Sequence, residues 1–223
     1  MGCWRVVLFK KIVIGLAAFL LSVLLVGFVL PSDFRVERVV SIAAPSEVIH
    51  RYVEDLPTWA DWSAWNTEND PTLVYEYEGG ARGVGAVMRW TGEGVGNGVL
   101  KITESDPESG IRYDLELQDG AFAARGQIRY GAEEQGTQVT WSDEGDLGWN
   151  PAYHWLGLMM DGMIGPELEQ GLAALRVKAE ADHAQERAPS AQQGAMASPG
   201  ESDVDVLKTS LSEDDSAQGA SAP

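Results

Sequence analysis

Six consecutive segments alternate apolar with polar side chains at a period of two, and this pattern restricts the fold more than any other feature of the chain. Leu73, Tyr75 and Tyr77 alternate with Val74, Glu76 and Glu78; Val84, Ala86, Met88 and Trp90 alternate with Gly85, Val87, Arg89 and Thr91. The pattern continues through Leu100 and Ile102, then Ile111, Tyr113, Leu115 and Leu117. Phe122, Ala124, Ile128 and Tyr130 follow, and Val139 and Trp141 complete it. Short turns with Gly or Pro separate the segments, which predicts an antiparallel meander with one wet and one buried face. Before it, residues 34–42 read as a first strand, and Ser46 is a natural N-cap for a short helix. Pro57 opens a second short helix on which Trp59, Trp62 and Trp65, at i, i+3 and i+6, share one broad face. After the meander, Leu156, Met160, Met163, Ile164, Leu168, Leu172 and Leu175 make the apolar stripe of one long helix over residues 152–181. That helix must cover the buried face of the sheet, so the fold class is α+β.

Residues 12–30 form an unbroken 19-residue apolar run with Ser22 as its single polar member. As a helix rising ~1.5 Å per residue it spans roughly 28 Å, close to the hydrocarbon thickness of a bilayer. A cleaved signal has a shorter apolar core and small residues at its exit. Here the exit reads Gly27-Phe28-Val29-Leu30-Pro31, which predicts an uncleaved single-pass anchor. Arg5, Lys10 and Lys11 flank its start and place the N-terminus in the cytoplasm, with the rest outside the cell (inner) membrane or in the periplasm. Arg35 and Arg38, on the far side, pull the other way. The expected organisation is a stub and transmembrane helix over 1–32, a soluble domain over 33–182, and an acidic tail over 183–223. The tail is too poor in large apolar residues to order itself.

Of the net charge of −18, residues 33–182 contribute −16. Such a surface repels phosphate backbones, so nucleic acid is excluded as a partner. The single cysteine, Cys3, precedes the apolar run, which leaves the soluble part without a disulfide or a thiolate zinc site. His50 and His154 fall on different helices, and His183 begins the tail. There is no serine elbow and no Cys/His pair. Gly83-x-Gly85 and Gly94-x-Gly96-x-Gly98 lack a strand-to-helix context and read as strand turns. Asp114 and Glu116 share the polar face of a strand as a solvated row. The expectation is therefore no catalytic constellation, no metal and no cofactor.

Several strings, in order, resemble the START-like (SRPBCC) superfamily, and within it the polyketide cyclase/dehydrase and lipid-transport group. They are Ala44-Pro45-Ser46, Trp59-Ala60-Asp61-Trp62-Ser63-Ala64-Trp65 and Gly83-Val84-Gly85-Ala86-Val87-Met88-Arg89-Trp90. Thr103-Glu104-Ser105-Asp106-Pro107, Gly136-Thr137-Gln138-Val139-Thr140-Trp141 and the segment from Met163 to Leu172 complete the match, which covers about residues 35–180. The resemblance implies a helix-grip fold: a curved sheet of about seven strands around the C-terminal helix, with a cavity between them for apolar ligands. It implies no reaction, since carriers, cyclases and stress proteins share the fold.

The side chains expected to line that space are Met88, Trp90, Tyr113, Leu115 and Trp141 from the sheet, and Met160 and Met163 from the helix. Pliable methionines and flat aromatic walls suit a lipid or other hydrophobic small molecule. Tyr113 and Trp141 offer hydrogen bonds to its polar end. The expected function is thus a membrane-anchored binding module. The alternatives are a cyclase-like enzyme in which Tyr113 or His154 supplies a proton, or a docking domain that uses the acidic surface.

Overall fold

The computed structural model describes residues 2–196, with side chains over residues 7–188. The first helix, α1 (Gly2–Gly27), includes a stretch, Val7–Gly27, whose mean hydropathy of 2.3 and length suffice to cross a membrane. Then follow β1 (Asp33–Ile42), α2 (Ser46–Val53) and a short 3-10 helix (Leu56–Asp61). The meander comprises β2 (Val74–Glu78), β3 (Val87–Gly92), β4 (Gly96–Asp106), β5 (Gly110–Leu117), β6 (Phe122–Glu133) and β7 (Gly136–Asp146). Two further helices close the order, α3 (Pro151–Gly157) and α4 (Met160–Met196).

All seven strands join one sheet in the order β1-β7-β6-β5-β4-β3-β2, every pair antiparallel. A register shift between Ile102 and Glu104 puts a bulge in β4, which increases the local bend and twist of the sheet. The concave face receives α4 through Leu168, Leu172, Leu175 and Ala179, all buried and spaced to fall on one side of the helix. Arg38 ties the start of α4 to β1, pairing with Asp161 at 2.8 Å and Glu169 at 2.5 Å. Gly165 leaves room for that guanidinium, since a Cβ there would overlap it.

The structure corrects four local expectations. The single long helix is broken at Leu158 and Met159 into α3 and α4. Asn150 caps α3 by accepting from the Ala152 N–H at 3.0 Å and Pro151 occupies its first turn, so the start of α3 is encoded there. Pro45, not Ser46, occupies the cap position of α2, and no side chain bonds there. The turn opened by Pro57 ends at Asp61, so Trp62 caps it and Trp65 lies beyond it. At the far end α4 runs past residue 183 to Met196, and residues 197–223 of the expected tail lie outside the described residues.

Three aromatic side chains lie across bare backbone on the neighbouring strand. Tyr113 is paired in register with Gly126, Trp90 with Gly98 and Phe34 with Gly145, and a Cβ on any of these glycines would overlap the ring. The glycines are selected by space, because none of the three has a positive φ. Gly126→Ala is expected to lower stability by about 1–3 kcal/mol through overpacking. A thermal melt of the full chain in detergent, followed by near-ultraviolet circular dichroism, checks this; an unchanged midpoint would mean that the ring does not rest on β6.

Candidate functional site

The space between sheet and α4 is built around tryptophan. Trp59 and Trp62, each 1% exposed, reach it from the 3-10 turn, and Trp141 reaches it from β7. Trp141 is the hub, with ring centroids 5.7 Å from Trp59, 5.4 Å from Trp62 and 6.2 Å from Trp65. Trp65 also stacks on Trp90 at 6.2 Å, and Trp59 meets Tyr113 edge-on at 5.8 Å. The segment carrying Trp62 and Trp65 is stapled locally. Asn66 donates to the Ser63 carbonyl at 2.9 Å, Asn69 donates to that of Ala64 at 2.6 Å, and Tyr75 donates to that of Trp65. Each buried aromatic of this kind contributes about 4–6 kcal/mol of gross apolar burial before entropy is counted.

Of the side chains expected to line this space, Met88, Trp90, Tyr113, Leu115 and Trp141 all point inward and are buried, and Met160 packs against them half-buried. Met163 is 54% exposed, which corrects its placement. At about 100° per residue it lies well round α4 from Leu168 and Leu172, whereas Ile164 falls on their side. Ile102, Leu100, Trp59, Trp141 and Tyr113 are each exposed by only 0–2%, so the packing around them is close. Three surface depressions, of about 610, 530 and 410 Å³, are lined by charged residues such as Arg35, Arg89, Glu116, Arg125 and Glu144, and include Leu115, Tyr113 and Trp90 respectively.

Within this apolar interior sits a polar chain. The Trp141 indole N–H donates to the Tyr113 hydroxyl at 2.7 Å, and that hydroxyl donates to the Asp143 carboxylate at 2.6 Å. Asp143 is 3% exposed. Gly126 stands between Tyr113 on β5 and Asp143 on β7 in the cross-strand register, so the tyrosine crosses a whole strand to reach the acid. Burial pushes the Asp143 carboxyl up to about 6; the Tyr113 hydrogen bond opposes this and the charge of Glu167 adds to it. The Tyr113 hydroxyl is itself raised well above its usual range, by burial and by Asp143. Glu167, on α4, is raised by burial although the Trp65 indole N–H donates to it. The Trp62 indole N–H is buried with no partner.

Asp143 escapes a sequence reading whose last inward row stops at Trp141. Continued by one more step of two residues, the row of Val139 and Trp141 puts an acid in the inward phase. The histidines are occupied elsewhere. His50 contacts the Tyr130 hydroxyl at 3.2 Å and the Ser105 hydroxyl at 3.1 Å, and burial lowers its pKa. His154 has both ring nitrogens against carbonyl oxygens, Gly27 at 2.7 Å and Gly148 at 2.9 Å, which raises its pKa. Among the described residues no three His, Cys, Asp or Glu side chains gather to hold a metal.

A family model described as polyketide cyclase/dehydrase and lipid transport matches residues 33–180. The chain belongs to that family. Some solved structures are similar to this member of the polyketide cyclase/dehydrase and lipid-transport family at low identity. The di-domain ARO/CYC StfQ from the steffimycin biosynthetic pathway is 9% identical, with a TM-score of 0.50, over 67% of this chain and 51% of that one. A protein from Thermobifida fusca is 17% identical, with a TM-score of 0.49, over 65% of this chain and 92% of that one. One from Chromobacterium violaceum is 21% identical, with a TM-score of 0.44, over 67% and 99%. No curated protein is similar enough to count as a match. In this family member the grip holds an aromatic cluster, a buried acid–tyrosine pair and one unused donor.

Proposed function

We propose that the chain is a membrane-tethered binding module for a small hydrophobic molecule with a hydrogen-bond acceptor at one end. Residues 1–32 serve as stub and anchor, 33–182 as the ligand domain, and 183–223 as an acidic tail. Met88, Trp90, Tyr113, Leu115, Trp141 and Met160 form the walls. The guest displaces the segment of Trp62 and Trp65, which belongs to no strand or long helix and is held by side-chain hydrogen bonds. The observation that carries this reading is the Trp62 N–H, buried and unpartnered in an otherwise saturated interior. Leaving such a donor unmet costs about 1–3 kcal/mol, which an acceptor on the guest would recover.

The test uses the full chain in phosphatidylcholine nanodiscs, titrated with dodecanoate while tryptophan emission is followed. Saturable change is expected, with about tenfold weaker binding in Trp62→Phe, the equivalent of one hydrogen bond. No saturable change in the native chain would overturn the proposal. A cyclase-like enzyme is the second reading, and one observation favours it: a carboxyl titrating at about 6 beside a buried tyrosine hydroxyl is poised to exchange a proton near neutral pH.

A further inference from the structure

The exposed apolar side chains of the domain are concentrated in one short segment. Trp149 is 87% exposed, Leu158 and Met159 each 61%, Met163 54%, Tyr153 42% and Trp155 36%. Elsewhere beyond residue 30 the exposed large apolar residues, such as Val74, Val84 and Val177, stand apart from one another in the sequence. Singly exposed residues are ordinary, but a contiguous apolar surface needs a partner. The charge pattern agrees. From Leu147 to Pro166 there is no Lys, Arg or Glu, and the single Asp, Asp161, is held by Arg38. That stretch is nearly neutral in a domain that is otherwise strongly acidic.

The segment is docked against the end of the apolar helix. His154 contacts the Gly27 carbonyl at 2.7 Å, and the Trp155 indole N–H donates to the Val23 carbonyl at 3.2 Å. Gly27 carries no Cβ, and Pro151 fills the space where one would stand. The Leu147 N–H donates to the Ser32 carbonyl at 2.8 Å, which fixes the other side of the exit. Val23 lies about 6 Å along the helix axis from Gly27. Trp155 is thus held level with the last turn of the span, the depth at which tryptophan and tyrosine gather in membrane proteins.

We propose that α3, its flanking turns and the first turn of α4, from Trp149 to Met163, rest in the headgroup region of the bilayer as a second, shallow membrane contact. This rests on α1 crossing the membrane. Apolar burial drives the contact and cationic attraction does not, so neutral lipids suffice. The test places single cysteines at Leu158, Met159, Val74 and Leu20, in a Cys3→Ser background, and labels each with a nitrobenzoxadiazole fluorophore. The chain is held in phosphatidylcholine nanodiscs with shallow or deep doxyl-labelled lipid as quencher. The labels at Leu158 and Met159 are expected to shift to shorter wavelength and to be quenched several-fold more by the shallow lipid, with the Val74 label unaffected. Water-like emission at Leu158 and Met159 beside a deeply quenched Leu20 label would overturn the second contact and leave the anchor standing. Water-like emission at Leu20 as well would overturn both.

Discussion

Trp141→Ala is expected to lower the stability of the domain by about 3–5 kcal/mol, the upper range for removal of a buried aromatic. The indole touches the rings of Trp59, Trp62 and Trp65, abuts Gly171 and donates to the Tyr113 hydroxyl. Its loss opens a cavity where α4 meets the sheet and leaves a buried hydroxyl short of a donor. Trp141→Phe keeps much of the volume but not the N–H, so a smaller loss is expected. Denaturant unfolding of the full chain in detergent micelles measures both. A loss below about 1 kcal/mol for the alanine variant would mean that the space around the ring is already open, contrary to the packing.

Asp143→Asn should act in the opposite direction, and only above mildly acidic pH. Burial holds the Asp143 carboxyl at about 6, above its ordinary 3.8. The folded form therefore binds a proton more tightly than the unfolded chain. The stability this confers is complete below about pH 4 and is lost as pH rises through 6. By pH 8 the native protein carries a penalty of the order of 2–3 kcal/mol from this one group. Asparagine has no charge to bury, and its side-chain oxygen still accepts from the Tyr113 hydroxyl. The variant should be more stable than the native chain at pH 8 and nearly equal to it at pH 4. Melts across that range would contradict the assignment if both proteins kept the same pH slope. A gain in stability joined to a loss of dodecanoate binding would mark Asp143 as retained for the ligand.

Much of the architecture is legible in the amino-acid order because strand alternation and helical periodicity are local properties. Tyr113 and Leu115 had to share a face whatever lay opposite, and Leu168, Leu172 and Leu175 had to share another. The register that sets Tyr113 beside Gly126 and Asp143 is not local; it follows from turn lengths and closure of the sheet. A buried acid is also concealed by its residue type, since Asp reads as surface unless its phase in the strand is followed. The break after α3, at Leu158 and Met159, is masked because the apolar stripe of Leu156 and Met160 runs straight through it. Met163 was misplaced because a wide stripe admits residues at its margin that the packed helix turns outward.

The three rings laid on bare glycine backbone also restrict how the interior can change. Below each lies only main chain that is hydrogen-bonded into the sheet, so Trp90, Tyr113 and Phe34 cannot sink further. The floor is rigid. Any widening has to come from the roof, by α4 or the tryptophan-bearing loop lifting away. A crosslink that pins the roof should then arrest exchange with the solvent, while substitutions on the convex side of the sheet leave it untouched.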